Sequence, residues 1–481
     1  MREIAERALD TARQRGAGYA DVRIVEQRRE QVVVKNGQIE TLLTDESAGF
    51  GVRVLVNGAW GFASSALLTT READRVAALA VALARAASRV PGPPVDLGPP
   101  VTTRGSYRTA VQRDPFGVPM EERIALLLAA DAAMRRQPAI VVAEGALGCE
   151  RQRKRFFNSE GAQVEQEVVA TGVGISCTAR SEDDLQTRSY PNSFGLHLGT
   201  AGWEFVEQQR ILDHAERIAS EAEQLLTAPP CPTGITTIIL DSSQLALQVH
   251  ESCGHAVELD RVWGSEAAYA GTSFLTLEKL GGFRYGSEHV TITADATIPG
   301  ALGSFGFDDE GVPAQRTLLV DRGRFCGYLT SRETATRLGQ LSNGTMRAES
   351  WNRLPLIRMT NINLEPGEWR LDDLIADTDE GIFLQTNRSW SIDDRRLHFQ
   401  FGTEIAWEIT GGKLGGMLKN ATYAGITPQF WASCDAVCRR EEWTVWGLAN
   451  CGKGQPPQLM QVGHGAAPAR FRNVQVGVLR A

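Results

Sequence analysis

The sequence predicts an α+β protein in two parts: an α/β N-terminal domain over residues 1–227 and a β-rich C-terminal domain over residues 235–481 that carries a metal-binding helix near its start. Three observations carry this expectation. Helical and extended patterns alternate through the first half. A proline-dense join, Ala228-Pro229-Pro230-Cys231-Pro232-Thr233-Gly234, then stops the preceding helix and stiffens the connection. From about His289 onward the patterned segments are mostly strands and tight turns. With 481 residues, 42% of them hydrophobic, the chain can fill two or three domains with substantial cores.

The elements follow in order. Residues 2–15 predict an amphipathic helix, and a strand follows around Val22 to Gln27. Asn36-Gly37 predicts a hairpin turn between Val32-Val33-Val34 and Ile39, since both residues tolerate positive φ. Gly49 to Val56 predicts another strand, turning at Asn57-Gly58 into Trp60-Gly61-Phe62-Ala63. The glycines there invite comparison with a phosphate loop. No Lys-Ser/Thr follows and no helix begins directly after them, so turn and packing roles are the better reading. An alanine-rich helix covers roughly Arg71 to Arg89, and Pro91 to Pro100 forms a stiff connection. Beyond it come a helix from Glu121 to Arg136, strands at 140–148, 155–158 and 164–177, and a long helix from Trp203 to Leu226. After the join, Thr236 to Leu240 predicts a buried strand. Val290 to Thr293, a hairpin at Asp321-Arg322-Gly323, Arg358 to Leu364 and Phe399 to Ile409 supply further strands.

Composition bounds the function. A net charge of -8 with no long basic run argues against nonspecific binding to nucleic acid or an anionic membrane. The charged start, Met1 to Glu6, is unlike a secretory leader, and no apolar run approaches the ~20 residues needed to span a bilayer. The expectation is a soluble cytoplasmic protein. Eight scattered cysteines predict reduced, buried thiols and no disulfide framework.

The chemistry concentrates in Gln248-Val249-His250-Glu251-Ser252-Cys253-Gly254-His255-Ala256-Val257-Glu258. Two imidazoles with an adjacent carboxylate suit a Zn²⁺ ion and a water molecule from which the carboxylate takes a proton. The spacing is unusual: five residues turn a regular helix by ~500°, leaving the two rings ~140° apart. Both reach one metal only if the helix widens or ends between them, and Gly254 is the residue best able to permit this.

For the third ligand the residues leave two candidates. Glu258 follows His255 on the same helical face. Cys451, in Asn450-Cys451-Gly452-Lys453-Gly454-Gln455-Pro456, has glycines for close approach and Lys453 to favour its thiolate. Cys434 and Cys438 could join Cys451 and His464 in a structural zinc site, although that spacing equally fits a buried pair. His464 could orient substrate, but capping a loop is the simpler role. Cys253 is read as a small buried thiol because no base is paired with it. Asp308-Asp309-Glu310 could hold a second metal or form an acid–base pair. A solvated turn is the simpler expectation.

Taken together, His250 to His255, Tyr269-Ala270-Gly271-Thr272-Ser273-Phe274-Leu275, Phe307 to Gln315, Arg358-Met359-Thr360-Asn361 and Cys451 to Pro456 resemble the TldD/PmbA family of modulators and metalloproteases. The likeness spans nearly the whole chain. It implies an α/β N-terminal domain, a β-rich C-terminal domain and a dimer enclosing a cavity, with a second copy or a TldE/PmbA-like paralogue as partner. One branch of that family keeps the His-Glu-xxx-His site and acts on peptides, and this chain is similar to that branch. The resemblance implies His250, His255 and Cys451 as metal ligands, preferring Cys451 to Glu258, and Glu251 as the catalytic carboxylate. The expected activity is zinc-dependent hydrolysis of unfolded or extended peptides. The alternative is a noncatalytic peptide-binding modulator or partner subunit that keeps a structural metal.

Overall fold

The computed structural model describes residues 1–478. It is 24% helical and 42% strand, as expected of an α+β protein. Strand β1 (Tyr19–Lys35) turns at Asn36 and Gly37, with φ 48° and 78°, into β2 (Gln38–Val56). Asn57 and Gly58, with φ 51° and 75°, then turn β2 into β3 (Ala59–Ser65). Both Asn-Gly pairs thus form the positive-φ hairpin turns that their composition predicts.

With β4 (Arg104–Arg108), β5 (Ile140–Asn158) and β6 (Gln163–Arg180), these strands form one sheet in the order β3-β2-β1-β5-β6-β4. Strands β7 (Leu185–Tyr190) and β8 (His197–Gly199) also pair with β6. The two strands expected at 140–148 and 155–158 are one continuous 19-residue strand. The polar stretch between them stays extended because its charges are met across the sheet: Glu150 accepts from Gln27 and Arg29, and Arg153 pairs with Glu167.

One face of this sheet is apolar. Val22, Ile24 and Phe157 pack under helices α1 (Arg2–Gln14) and α2 (Thr70–Ala87). Val32, Val34 and Leu147 pack under α3 (Met120–Met134) and later helices. The helix expected at 203–226 is divided into α4 (Glu204–Gln209) and α5 (Ile211–Thr227), because Arg210 takes a left-handed φ of 47° that cannot continue a right-handed helix.

The opposite face, carrying Arg23, Lys154 and Gln166, meets the C-terminal half. There the expectation of a solvated turn at Asp308-Asp309-Glu310 is overturned, since all three side chains are buried. Asp309 pairs with Lys154 at 2.8 Å, Glu310 lies 3.3 Å from Arg53, and Asp308 accepts backbone N–H bonds from Glu310, Val312 and Met346. The turn is held by cations that come from the N-terminal sheet, which no local composition reveals.

In the C-terminal half, β9 (Gly234–Leu240) pairs with Glu380–Ile392 on one side and Ala469–Val478 on the other. Ala421–Ile426 and His398–Thr410 continue the order, and His398–Thr410 pairs back to Glu380–Ile392. Five strands therefore close on themselves around Leu240, Leu384, Phe401, Tyr423 and Phe471. Directly after β9, helix α6 (Ser242–Val249) begins, capped by Asp241, whose carboxylate accepts from Gln244 N–H at 2.9 Å. The hairpin Thr444–Lys453 with Gln458–Ala466 lies against this helix and brings the C-terminal residues to it.

Candidate metal centre

Helix α6 does not run on as a regular helix. Residues His250–Gly254 form one π-helical turn, closed by the His255 N–H donating to the His250 carbonyl, and a short 3₁₀ turn follows at His255–Val257. An i→i+5 bond makes five residues one turn, so the spacing that is wrong for an α-helix places both imidazoles on one side. Their rings stand edge to face with centroids 4.9 Å apart. The turn is supported from its back: Trp431 Nε1 donates to Ser252 Oγ at 2.9 Å, and the Tyr285 hydroxyl donates to the Ser252 carbonyl at 3.1 Å. Gly254 serves differently from expectation. Its φ of -51° and ψ of -57° are ordinary helical values, and what matters is the missing side chain, because a Cβ would lie 2.2 Å from Met359 Sδ.

Cys451 lies on Thr444–Lys453 just after a register shift between Leu448 and Cys451, and its Sγ is 3.7 Å from His255 Nε2. The ligand atoms of His250, His255 and Cys451 all lie within 4.8 Å of one another, and all three residues are buried. Among the described residues this is the one such group of three. Glu258 lies beside it as an orienting partner: its Oε2 is 2.9 Å from His255 Nδ1. His250 Nδ1 is likewise 2.7 Å from His464 Nε2. Both rings are fixed through Nδ1, and Nε2 of each is left for a ligand. His464 therefore faces His250, apart from any loop-capping role.

The electrostatics suit a cation. Burial holds both His250 and His255 below the usual imidazole range, so both are neutral and have a lone pair to offer. Burial opposes ionisation of the Cys451 thiol, and the positive charge of the Arg358 guanidinium favours it. Arg358 Nη2 donates to the Cys451 carbonyl. The expectation that Lys453 favours the thiolate is corrected here. Its ammonium is turned to carboxylates, 2.7 Å from Asp260, 3.3 Å from Glu258 and 3.6 Å from Glu266. Two neutral imidazoles and a thiol beside a guanidinium form a donor set that fits Zn²⁺.

Glu251 is buried beside His250, and its Oε2 accepts from Arg396 Nη1 at 2.6 Å. Arg396 lies in the turn between Glu380–Ile392 and His398–Thr410, and nothing in its local sequence ties it to the histidine motif. Cys253 is a core thiol whose pKa burial pushes up to about 12. Cys434 and Cys438 belong to separate hydrophobic clusters and do not assemble with Cys451. All eight cysteines are free.

An eight-stranded sheet with helices on one face, joined to a closed five-stranded ring, defines a known multi-domain architecture. It superposes on a Thermotoga maritima crystal structure with a TM-score of 0.78 at 18% identity, covering 99% of this chain and 100% of that one. Against TldE from Thermococcus kodakarensis the TM-score is 0.74 at 18% identity, covering 98% and 99%. At that identity these likenesses speak for the fold.

The sequence itself matches models of the PmbA/TldA metallopeptidase domain 1 at residues 20–87, central domain at 113–226 and C-terminal domain at 233–478. A metalloprotease of Methanocaldococcus jannaschii is 32% identical over 94% of this chain and 95% of the relative. A metalloprotease of Synechocystis is 29% identical over 96% and 95%. A zinc metalloprotease TldD homolog of Saccharolobus solfataricus is 23% identical over 67% and 68%. This chain belongs to the TldD/PmbA family of metallopeptidases. Among the described residues no helix is long and apolar enough to cross a membrane.

Proposed function

We propose that the chain is a zinc-dependent metallopeptidase that hydrolyses unfolded or extended peptides, with zinc held by His250, His255 and Cys451. The observation that carries this reading is the π turn, which brings two imidazoles, each fixed through Nδ1, onto the thiol of a strand from the far end of the chain. Bound zinc would supply a Lewis acid for the scissile carbonyl and lower the pKa of a coordinated water. Glu251 is the general base: Oε2 is engaged by Arg396, which leaves Oε1 to receive the water proton and pass it to the leaving amine.

A cavity of about 320 Å³ lies between the Cys451 hairpin and the N-terminal sheet, and in this proposal it takes part of the peptide away from the metal ligands, none of which line it. Ala449 and Met460 line it on the hairpin side, and Gln152, Lys154 and Gln166 on the N-terminal sheet. Its walls mix apolar and amide-bearing side chains with charged ones such as Glu150, Lys154 and Arg347. A cytoplasmic dimer with a second copy or a TldE-like paralogue is part of the proposal.

The test combines zinc analysis with digestion of unstructured peptides read by mass spectrometry, for wild type and Glu251→Gln, with and without chelator. The variant is expected to keep about one zinc per chain while cleavage falls ~10²–10⁴-fold. Undiminished cleavage by Glu251→Gln would remove Glu251 from the mechanism.

A further inference from the structure

A peptidase site needs donors for the oxyanion as well as a base, and the residue placed to supply them is Arg396. Three observations single it out. Its Nη1 is 2.6 Å from Glu251 Oε2, and its Nε is buried without a hydrogen-bond partner among the described residues.

The backbone is the third observation. Arg396 has φ 63°, a left-handed conformation that costs a side-chain-bearing residue on the order of 1 kcal/mol and that glycine adopts freely. The turn that imposes it is firmly held. The Asp393 carboxylate accepts from the N–H groups of Arg395 and Leu397, at 3.1 and 2.8 Å. The carbonyls of Asp394 and Arg395 accept from Thr272 and Phe274 N–H, at 3.0 and 2.8 Å. Thr427 Oγ1 donates to the Arg396 carbonyl at 2.9 Å. A rigid turn that aims one strained arginine at the motif carboxylate is a device for presenting that guanidinium.

We infer that Arg396 is a catalytic residue whose guanidinium stabilises the oxyanion that the scissile carbonyl oxygen becomes. This rests on the peptidase reading above. As water adds to the carbonyl carbon, its proton passes to Glu251 and the carbonyl π pair moves onto oxygen, where the Arg396 N–H groups meet the new charge. When the oxyanion collapses, the C–N bond breaks and Glu251 returns the proton to the amine nitrogen. One water is consumed, one carboxylate-side and one amine-side product form, and Arg396 stays charged throughout.

The test compares zinc-loaded wild type, Arg396→Lys, Arg396→Gln, Arg396→Ala and Glu251→Gln on a peptide cleaved in the digestion. A phosphinic peptide of the same sequence serves as tetrahedral mimic. Arg396→Gln is expected to lower kcat ~10²–10³-fold with KM changed by less than about threefold, and to weaken the phosphinate by a similar factor while its zinc content is unchanged. Arg396→Lys should recover part of kcat, and added guanidinium should recover part of the activity of Arg396→Ala. If Arg396→Gln raises KM alone, or binds the phosphinate as wild type does, Arg396 is not the oxyanion donor although the peptidase reading stands. If wild type cleaves no peptide, or Glu251→Gln cleaves as wild type, the reading beneath it falls as well.

Discussion

Glu258 joins the two halves of the proposed metal site: its Oε2 is 2.9 Å from His255 Nδ1, and its Oε1 is 3.3 Å from Lys453 Nζ, two residues beyond Cys451. Asp260 and Glu266 share the same ammonium, and Arg261 is the other cation of this buried group. Three carboxylates thus depend on two cations. Removing one cation from a buried network leaves an uncompensated charge, at a cost of about 3–5 kcal/mol. Lys453→Met should lose that much in urea denaturation at fixed zinc, and zinc affinity should fall with it because the strand carrying Cys451 is released. Unchanged stability and affinity would show that Arg261 alone neutralises the group.

The contact between His464 and His250 makes a second prediction. Outer partners of metal-bound histidines set tautomer and ring orientation, and losing one typically costs ~10–100-fold in metal affinity. His464→Phe keeps a planar ring, somewhat larger, but removes the nitrogen 2.7 Å from His250 Nδ1. Competition with a chromophoric chelator should show a loss of that size, with Cys451→Ala losing more. Wild-type affinity in His464→Phe would mean that packing alone orients His250.

Much of this site was legible because it is encoded locally. The histidine spacing demanded a departure from α geometry, and a π turn provides it. What lay beyond the sequence is tertiary. Arg396 and Glu251 meet because two strands of a closed ring end in a turn beside α6, and no periodicity encodes which turn meets which helix. Asp308-Asp309-Glu310 looks like a solvated turn until Lys154 and Arg53 arrive from another sheet. The same reason explains the strand Ile140–Asn158: its polar middle is satisfied only by neighbours far away in sequence.

Gly254 gives a prediction whose sign decides between two physical effects. On helix propensity alone, glycine to alanine in a helical conformation stabilises by ~1 kcal/mol. Here the added Cβ would meet Met359 Sδ at 2.2 Å in a buried position, and overpacking of that kind costs ~1–3 kcal/mol. Gly254→Ala should therefore destabilise, and Met359→Ala in the same chain should return part of the loss in a double-mutant cycle. A stabilised Gly254→Ala would show that the core yields readily around the π turn.

His197 makes the fold sensitive to acid at the strand that carries Cys451. The ring lies between Phe205 and Trp446, with centroids 5.1 and 5.0 Å away, and Gly447 N–H donates to its Nδ1 at 3.4 Å. Accepting that bond requires the neutral ring, and burial lowers its pKa from 6.5 to about 4. Because the folded-state value is the lower one, the unfolded chain binds the extra proton between these limits. The contribution is complete above pH 6.5 and is lost as pH falls from 6.5 toward 4. At pH 5 the loss is roughly 2 kcal/mol. Denaturation of the zinc-free protein at pH 7 and pH 5, for wild type and His197→Phe, isolates it. The variant, which cannot take up this proton, should lose about that much less stability on acidification. Equal losses in the two proteins would place the acid sensitivity elsewhere.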